Sequence, residues 1–240
     1  MTTRVLPEAD RFATCPNDGK VLDYYAGVFA SVYVVLSPFM APLSDAFVAM
    51  CDSPDPEAGP DRIAIVAHCR PVPWCEVARE SGLPNLAAVD IALRTQIGGL
   101  SAVFRNTDYA ARLKRLYEND RLWPPIEGQH AELLQHTVLE LFQALGHDWV
   151  WVGDEFGTQR RLYWIDDIKK GIKDPIRGHC NVFAPDHSLL WTVHWDSHFS
   201  FLCAASDDAL RSVNVETTLE GFFCGPDTQV YWSSMERAPR

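Results

Sequence analysis

No apolar run in this chain approaches the twenty or so residues that span a bilayer; the longest, Val28–Leu36, is strand-sized. The opening MTTRVLPEADRF lacks the apolar core of a signal peptide, so a cytoplasmic protein is the expectation. Basic side chains are also scarce. Lys and Arg number 21 against 32 Asp and Glu, a formal net charge of -11. A nucleic-acid binder needs cations to replace phosphate counterions, and the short basic groups Arg112–Arg115 and Lys169–Lys173 read as solvated faces. Nucleic acid and membrane are therefore not expected partners, whereas a basic protein or a cationic small molecule suits the field of the chain. The seven cysteines are odd in number and form no C-x-x-C pair. That argues against a disulfide framework or a zinc ribbon and for reduced thiols. Three catalytic signatures are missing as well. Without G-x-S-x-G, a Gly-Lys-Ser/Thr loop or a strand-borne G-x-G-x-x-G, an α/β-hydrolase, a P-loop NTPase and a dinucleotide-binding fold are disfavoured.

What is present is material for a core. The 240 residues are 47% hydrophobic and 22% charged, a globular composition. Residues 1–20 read as a loosely attached arm. Residues 21–146 read as mainly helical, around one strand over Val28–Leu36 and a second over Ile63–His68. Helices are expected at Ala46–Met50, after Pro71 up to Leu83, over Leu86–Phe104, from Thr107 or Asp108 to Tyr117, and over Ala131–Leu145. Residues 52–60, DSPDPEAGP, read as an exposed loop. Beyond Gly146 the pattern turns to strands separated by turn residues: Asp148–Val152, Arg161–Asp166, His179–Phe183, Leu189–His194, His198–Ala204 and Thr228–Trp232, with a short helix at Asp207–Val213. The expectation is one α+β domain over 1–240, a helical first half packed on a mainly antiparallel sheet over 147–240.

The segment Leu189–Ala204, LLWTVHWDSHFSFLCA, holds the densest chemistry. It sets His194, Asp196 and His198 at alternate positions. On one extended strand these side chains share a face, with residues two apart separated by about 7 Å. Two imidazoles and a carboxylate are the ingredients of an acid–base site, or of a divalent metal site in which His194 and His198 are ligands and a further group such as His179, Asp166 or Cys203 completes the set. The competing expectation is a hairpin turning at Trp195–His198, in which Asp196 and Ser197 serve local hydrogen bonding.

A second group is acidic. Asp154-Glu155 and Asp166-Asp167 end neighbouring expected strands, and a hairpin that joined them would cluster four carboxylates beside Trp164 and Trp195. Such a patch suits a basic protein partner or a divalent cation, against the simpler role of solubilising loop charge. Six of the eight tryptophans lie beyond residue 145, which suits an aromatic pocket or a sheet core. Cys180 follows His179 directly, and adjacent strand residues face opposite ways, so the two are not expected to pair as nucleophile and base.

Three segments carry a likeness. RPVPWCEVARESGLPNLAAVDIALRTQIGGL (70–100), WDSHFSFLCA (195–204) and SVYVVLSPFMAP (31–42) resemble the bacterial family called domain of unknown function 2711. The resemblance implies no activity, cofactor or catalytic residue. Two expectations stand together: an acidic, non-enzymatic binding protein of the immunity or antitoxin-inhibitor type that engages a basic protein, and a small-molecule enzyme, with or without a metal, whose site lies around His194, Asp196 and His198.

Overall fold

In the computed structural model, residues 10–51, 60–120 and 122–235 are described. Strands are β1 (Ser31–Leu36), β2 (Phe39–Pro42), β3 (Cys69–Val72), β4 (Trp149–Asp154), β5 (Arg160–Trp164), β6 (Cys180–Phe183), β7 (Leu189–Val193), β8 (Phe199–Ala204) and β9 (Gly221–Phe223). Helices are α1 (Val21–Tyr24), α2 (Asp45–Cys51), α3 (Arg62–His68), α4 (Trp74–Ser81), α5 (Leu86–Ile97), α6 (Thr107–Asp120), α7 (Glu132–Ala144), α8 (Ile165–Lys169), α9 (Ala209–Ser212), α10 (Val215–Thr218) and α11 (Trp232–Met235). Seven strands form one sheet in the order β5-β4-β6-β7-β8-β1-β9, every pair antiparallel; β2 and β3 form a separate pair. The class is α+β. Among the described residues no helix is long and apolar enough to cross a membrane.

The centre of the sheet is buried on both faces. Strands β1, β6, β7 and β8 are buried along their whole lengths, which explains why they read as continuous apolar runs rather than alternating ones. Alternation still sorts their side chains between two cores. Val32, Val34 and Leu36 of β1 join Phe199, Phe201 and Cys203 of β8 under α4 and α5. Tyr33 and Val35 join Trp191, Leu202 and Ala204 under α7 and α8. Helices cover both faces because both are apolar, and β1, from the first half of the chain, lies between β8 and β9 from the second.

Local chemistry sets the helix ends. Asn85 accepts the amide of Ala88 to open α5, and Gly98, at φ 78°, closes it. The helix expected to reach Phe104 therefore stops at Ile97. Asp61 accepts the amide of Ala64 and opens α3 where a strand over Ile63–His68 was expected; the β-branched Ile63, Ile65 and Val66 are overridden by that cap. The N-terminus of α4 is capped from far away, as the Glu220 carboxylate accepts the amides of Trp74 at 2.5 Å and Cys75 at 2.8 Å. The strand expected over Arg161–Asp166 ends at Trp164, and Asp166 and Asp167 fall in the first turn of α8. The last expected strand, Thr228–Trp232, contributes only a bridge from Gln229 to Lys20 before α11 begins; the edge strand is β9 instead. The arm is packed over its described part: Arg11 donates to the carbonyls of Tyr24 and Ala26, and Ala13 is buried. Residues 1–9 of that arm and 52–59 of the expected loop lie outside the described residues.

Among the described residues one ion pair is fully enclosed. Asp90 and Arg94, one turn apart on α5, are both 0% exposed, with Nε 3.2 Å from Oδ2. That contact is an ion pair without hydrogen-bond alignment, and Arg94 Nη1 and Nη2 have no hydrogen-bond partner. The guanidinium lies 4.5 Å from the Tyr231 ring centre and 5.3 Å from that of Phe199, and Ser233 donates to Asp90. The pair thus joins α5 to β8 and to α11. Removing one member leaves a bare buried charge, so Asp90→Asn should cost about 3–5 kcal/mol in urea unfolding, and the double change Asp90→Leu with Arg94→Met should recover most of it.

Candidate functional site

The β7–β8 hairpin decides the HWDSH segment. Val193 pairs with Ser200, so His194–His198 form the turn and the alternation of a single strand is lost. Ser197 is buried and its hydroxyl donates to the carbonyls of His194 (2.8 Å) and Phe199 (3.0 Å). Asp196 is exposed beside Gly99 at the end of α5. The three predicted site residues therefore separate. His194 (5% exposed) and His198 (4%) turn inward while Asp196 faces solvent. Both imidazoles lie in the field of Arg94. Burial first, and Arg94 second, push His198 down to about 3 and hold His194 below its ordinary value. Both rings are neutral. A cation between them would face a buried guanidinium, and among the described residues no three His, Cys, Asp or Glu side chains gather as metal ligands. The proposed further ligands are dispersed too: Cys203 is fully buried in the core and Asp166 is on α8, bonded to Gln143 and Lys170.

His194 and Trp195 instead line a cavity of about 290 Å3 together with Cys15, Asn17, Glu155 and His179. Asn17 in the arm holds His194, its carbonyl 3.0 Å from Nε2. A carbonyl only accepts, so the proton is on Nε2 and Nδ1 presents a bare lone pair. His194 Nδ1, His179 Nδ1 and Glu155 Oε2 are buried atoms without a hydrogen-bond partner. His179 stacks on Trp195, ring centres 3.5 Å apart, and Phe156 stands exposed at the rim. Neither thiol in the wall is a nucleophile: burial pushes Cys180 up to about 12 and Cys15 higher still, so both stay protonated. A larger cleft of about 650 Å3 beside Trp232 and the start of α5 holds no cluster of titratable groups.

The four carboxylates are not brought together. Trp149 pairs with Trp164 and Gly153 with Arg160. This register puts Asp154-Glu155 at the turn of the β4–β5 hairpin and Asp166-Asp167 past its other end, more than about 13 Å away along the strands. Asp154 accepts the amides of Thr158 and Gln159 and the Thr158 hydroxyl, a turn cap that holds its carboxyl below the usual range against the opposing cost of burial. Gln143 and Lys170 do the same for Asp166. Trp164 stacks on Trp149, both nearly half exposed, beside Leu162 and under the Lys170 ammonium. Glu155 alone of the four reaches the cavity.

Sequence reasoning missed Gly128. Its amide donates to Ser197 O at 2.8 Å, its φ is 63°, and a Cβ there would meet His179 Nδ1 at 2.7 Å and Trp195 O at 2.8 Å. The Pro-Pro-Ile-Glu-Gly turn was a visible signal without a visible target. His179 was visible only as a spare ligand, because its stacking partner is remote along the strands.

A family model described as a protein of unknown function, DUF2711, matches residues 17–234. Nothing among the curated proteins or the solved structures matches the chain.

Two outcomes follow from this geometry. Gly128→Ala should cost about 2–4 kcal/mol from backbone strain and the clash with the His179–Trp195 stack, read as a lower Tm and altered Trp fluorescence. His130, stacked on Trp191, is also pushed down to about 3 by burial. With His130 and His198 both depressed from about 6.5, the unfolded chain binds more protons at acid pH. Their contribution is complete above pH 6.5 and is lost as pH falls toward 3, at about 1.4 kcal/mol per pH unit per histidine. Urea midpoints should fall between pH 7 and 5, and His198→Phe should flatten that slope.

Proposed function

The chain belongs to the DUF2711 family, and from the site itself we propose that it binds a small planar cation in the cavity at His194. The observation that carries the reading is the excess of acceptors. Two buried acceptors without partners, His194 Nδ1 and Glu155 Oε2, belong to side chains that line one cavity, and a buried acceptor without a donor costs about 1–3 kcal/mol. A ligand with several N–H donors relieves that cost. Its charge suits the Glu155 carboxylate and the net charge of -11, and its flat face suits the aromatic wall of His179 and Trp195. Any chemistry on such a ligand would use the His194 Nδ1 lone pair as the base, without a thiolate and without a metal held by His194 and His198. Asp196 and His198 have no direct part in this reading: His198 supports the turn and Asp196 is solvated.

The alternative, a non-enzymatic inhibitor that engages a basic protein, keeps the overall charge in its favour. The aromatic face at Trp149 and Trp164 is its best surface, yet Arg160, Arg161 and Lys170 flank it. The two readings differ in their response to a small ligand. Benzamidine, a planar cation with N–H donors, should quench Trp195 fluorescence saturably, benzoate should not, and Glu155→Gln should weaken benzamidine at least tenfold. Equal quenching by benzamidine and benzoate, or an unchanged Glu155→Gln, would remove the cation reading and leave the protein-partner one.

A further inference from the structure

A second cavity, of about 200 Å3, lies where the loop before α7 meets α3 and the loop after α8, and is lined among others by Arg62, His130, Glu132, Gln135 and Arg177. Two of its side chains are almost wholly enclosed, His130 at 3% and Gln135 at 1% exposure. His130 Nε2 donates to Cys180 O at 2.9 Å, which leaves Nδ1 as a lone pair. Gln135 Nε2 donates to Ile176 O at 3.2 Å, which leaves Oε1 free to accept. Neither acceptor has a partner. Glu132 adds a third, a carboxyl that burial raises above its ordinary value because no cation fully compensates it.

The guanidinium groups of the cavity, by contrast, are drawn to one carboxylate. Arg62 Nε is 3.1 Å from Asp174 Oδ1, and an Arg62 terminal nitrogen reaches Ile168 O at 3.4 Å. Arg177 Nε donates to Asp174 Oδ2 at 2.7 Å. Asp174 thereby faces both guanidinium groups. Two enclosed acceptors are left over, while Arg62 Nε, also without a hydrogen bond, lies against the Asp174 carboxylate, so the group that fits the acceptors is a donor. The space corresponds to several waters at about 30 Å3 each.

We propose that this cavity is a second ligand site, selective for a small primary ammonium group whose N–H donors meet His130 Nδ1, Gln135 Oε1 and the Glu132 carboxylate. It shares no residue with the cavity at His194 and stands or falls independently of it.

The test uses the full chain and two salts at equal ionic strength. Methylammonium chloride should raise Tm saturably and bind by calorimetry. Tetramethylammonium chloride, the same charge without N–H donors, should do neither. Gln135→Leu, which keeps volume and removes the acceptor, should weaken methylammonium at least tenfold, whereas Asp207→Asn, at an exposed turn outside both cavities, should leave it unchanged. Equal responses to the two salts, or undiminished binding in Gln135→Leu, would overturn the proposal and leave the acceptors to ordered water only. Should Gln135→Leu fail to fold, Glu132→Gln serves in its place: a tenfold loss supports the site and unaltered affinity overturns it.

Discussion

A guanidinium with no access to water governs the region around the turn. Arg94 is enclosed, and its one counter-charge, Asp90, sits on the same helix. Taking such a pair out of water costs several kcal/mol per ion before attraction returns it, so everything around the pair is arranged to lower that cost. Two aromatic faces lie against the cation, a serine from the C-terminal helix serves the anion, and the two histidines of the β7–β8 turn stay neutral rather than add positive charge. The turn that looked like a metal-binding constellation is better understood as the neutral lining of a buried charge.

That constraint also explains why His194 is available. Its Nε2 is tied to the arm through Asn17 and its neighbour Trp195 is stacked on His179, so Nδ1 is held as an uncharged acceptor. Burial first and Arg94 second keep the ring neutral, and the cavity it lines has a carboxylate of its own in Glu155. The same logic recurs at His130, where burial keeps the ring neutral and a carbonyl fixes its proton. In both places a histidine whose proton is fixed by a carbonyl keeps an unpartnered Nδ1 and lines a cavity.

Much of the architecture was legible in the sequence because short-range rules decided it. The stripe of Leu86, Val89 and Leu93 marks α5, although not its end at Ile97, and the apolar run at Val28–Leu36 reads as a strand because it is buried on both faces. Residues 62–68 misled because three β-branched side chains outweighed one aspartate on paper and not in the chain. The site was legible only in part. Hairpin register, which a sequence does not state, separated Asp196 from the histidines and split the acidic pairs, and the contacts that build the cavity, from Asn17 to His194 and from Gly128 to the 179–195 stack, join residues too distant for any local pattern.

The position of β1 carries a consequence for how the molecule is made. Val34 lies opposite both Phe201 and Phe222, so a strand synthesised early has partners on both sides that are synthesised late. At ordinary elongation rates that interval lasts roughly ten to thirty seconds, and pairings so distant in sequence are slow to find. During translation the nascent chain carries an apolar strand with two open edges, and its helices can form long before the sheet that orders them. A fragment ending anywhere before β8 therefore leaves both edges of β1 unpaired, and the last strands to emerge close the sheet around it.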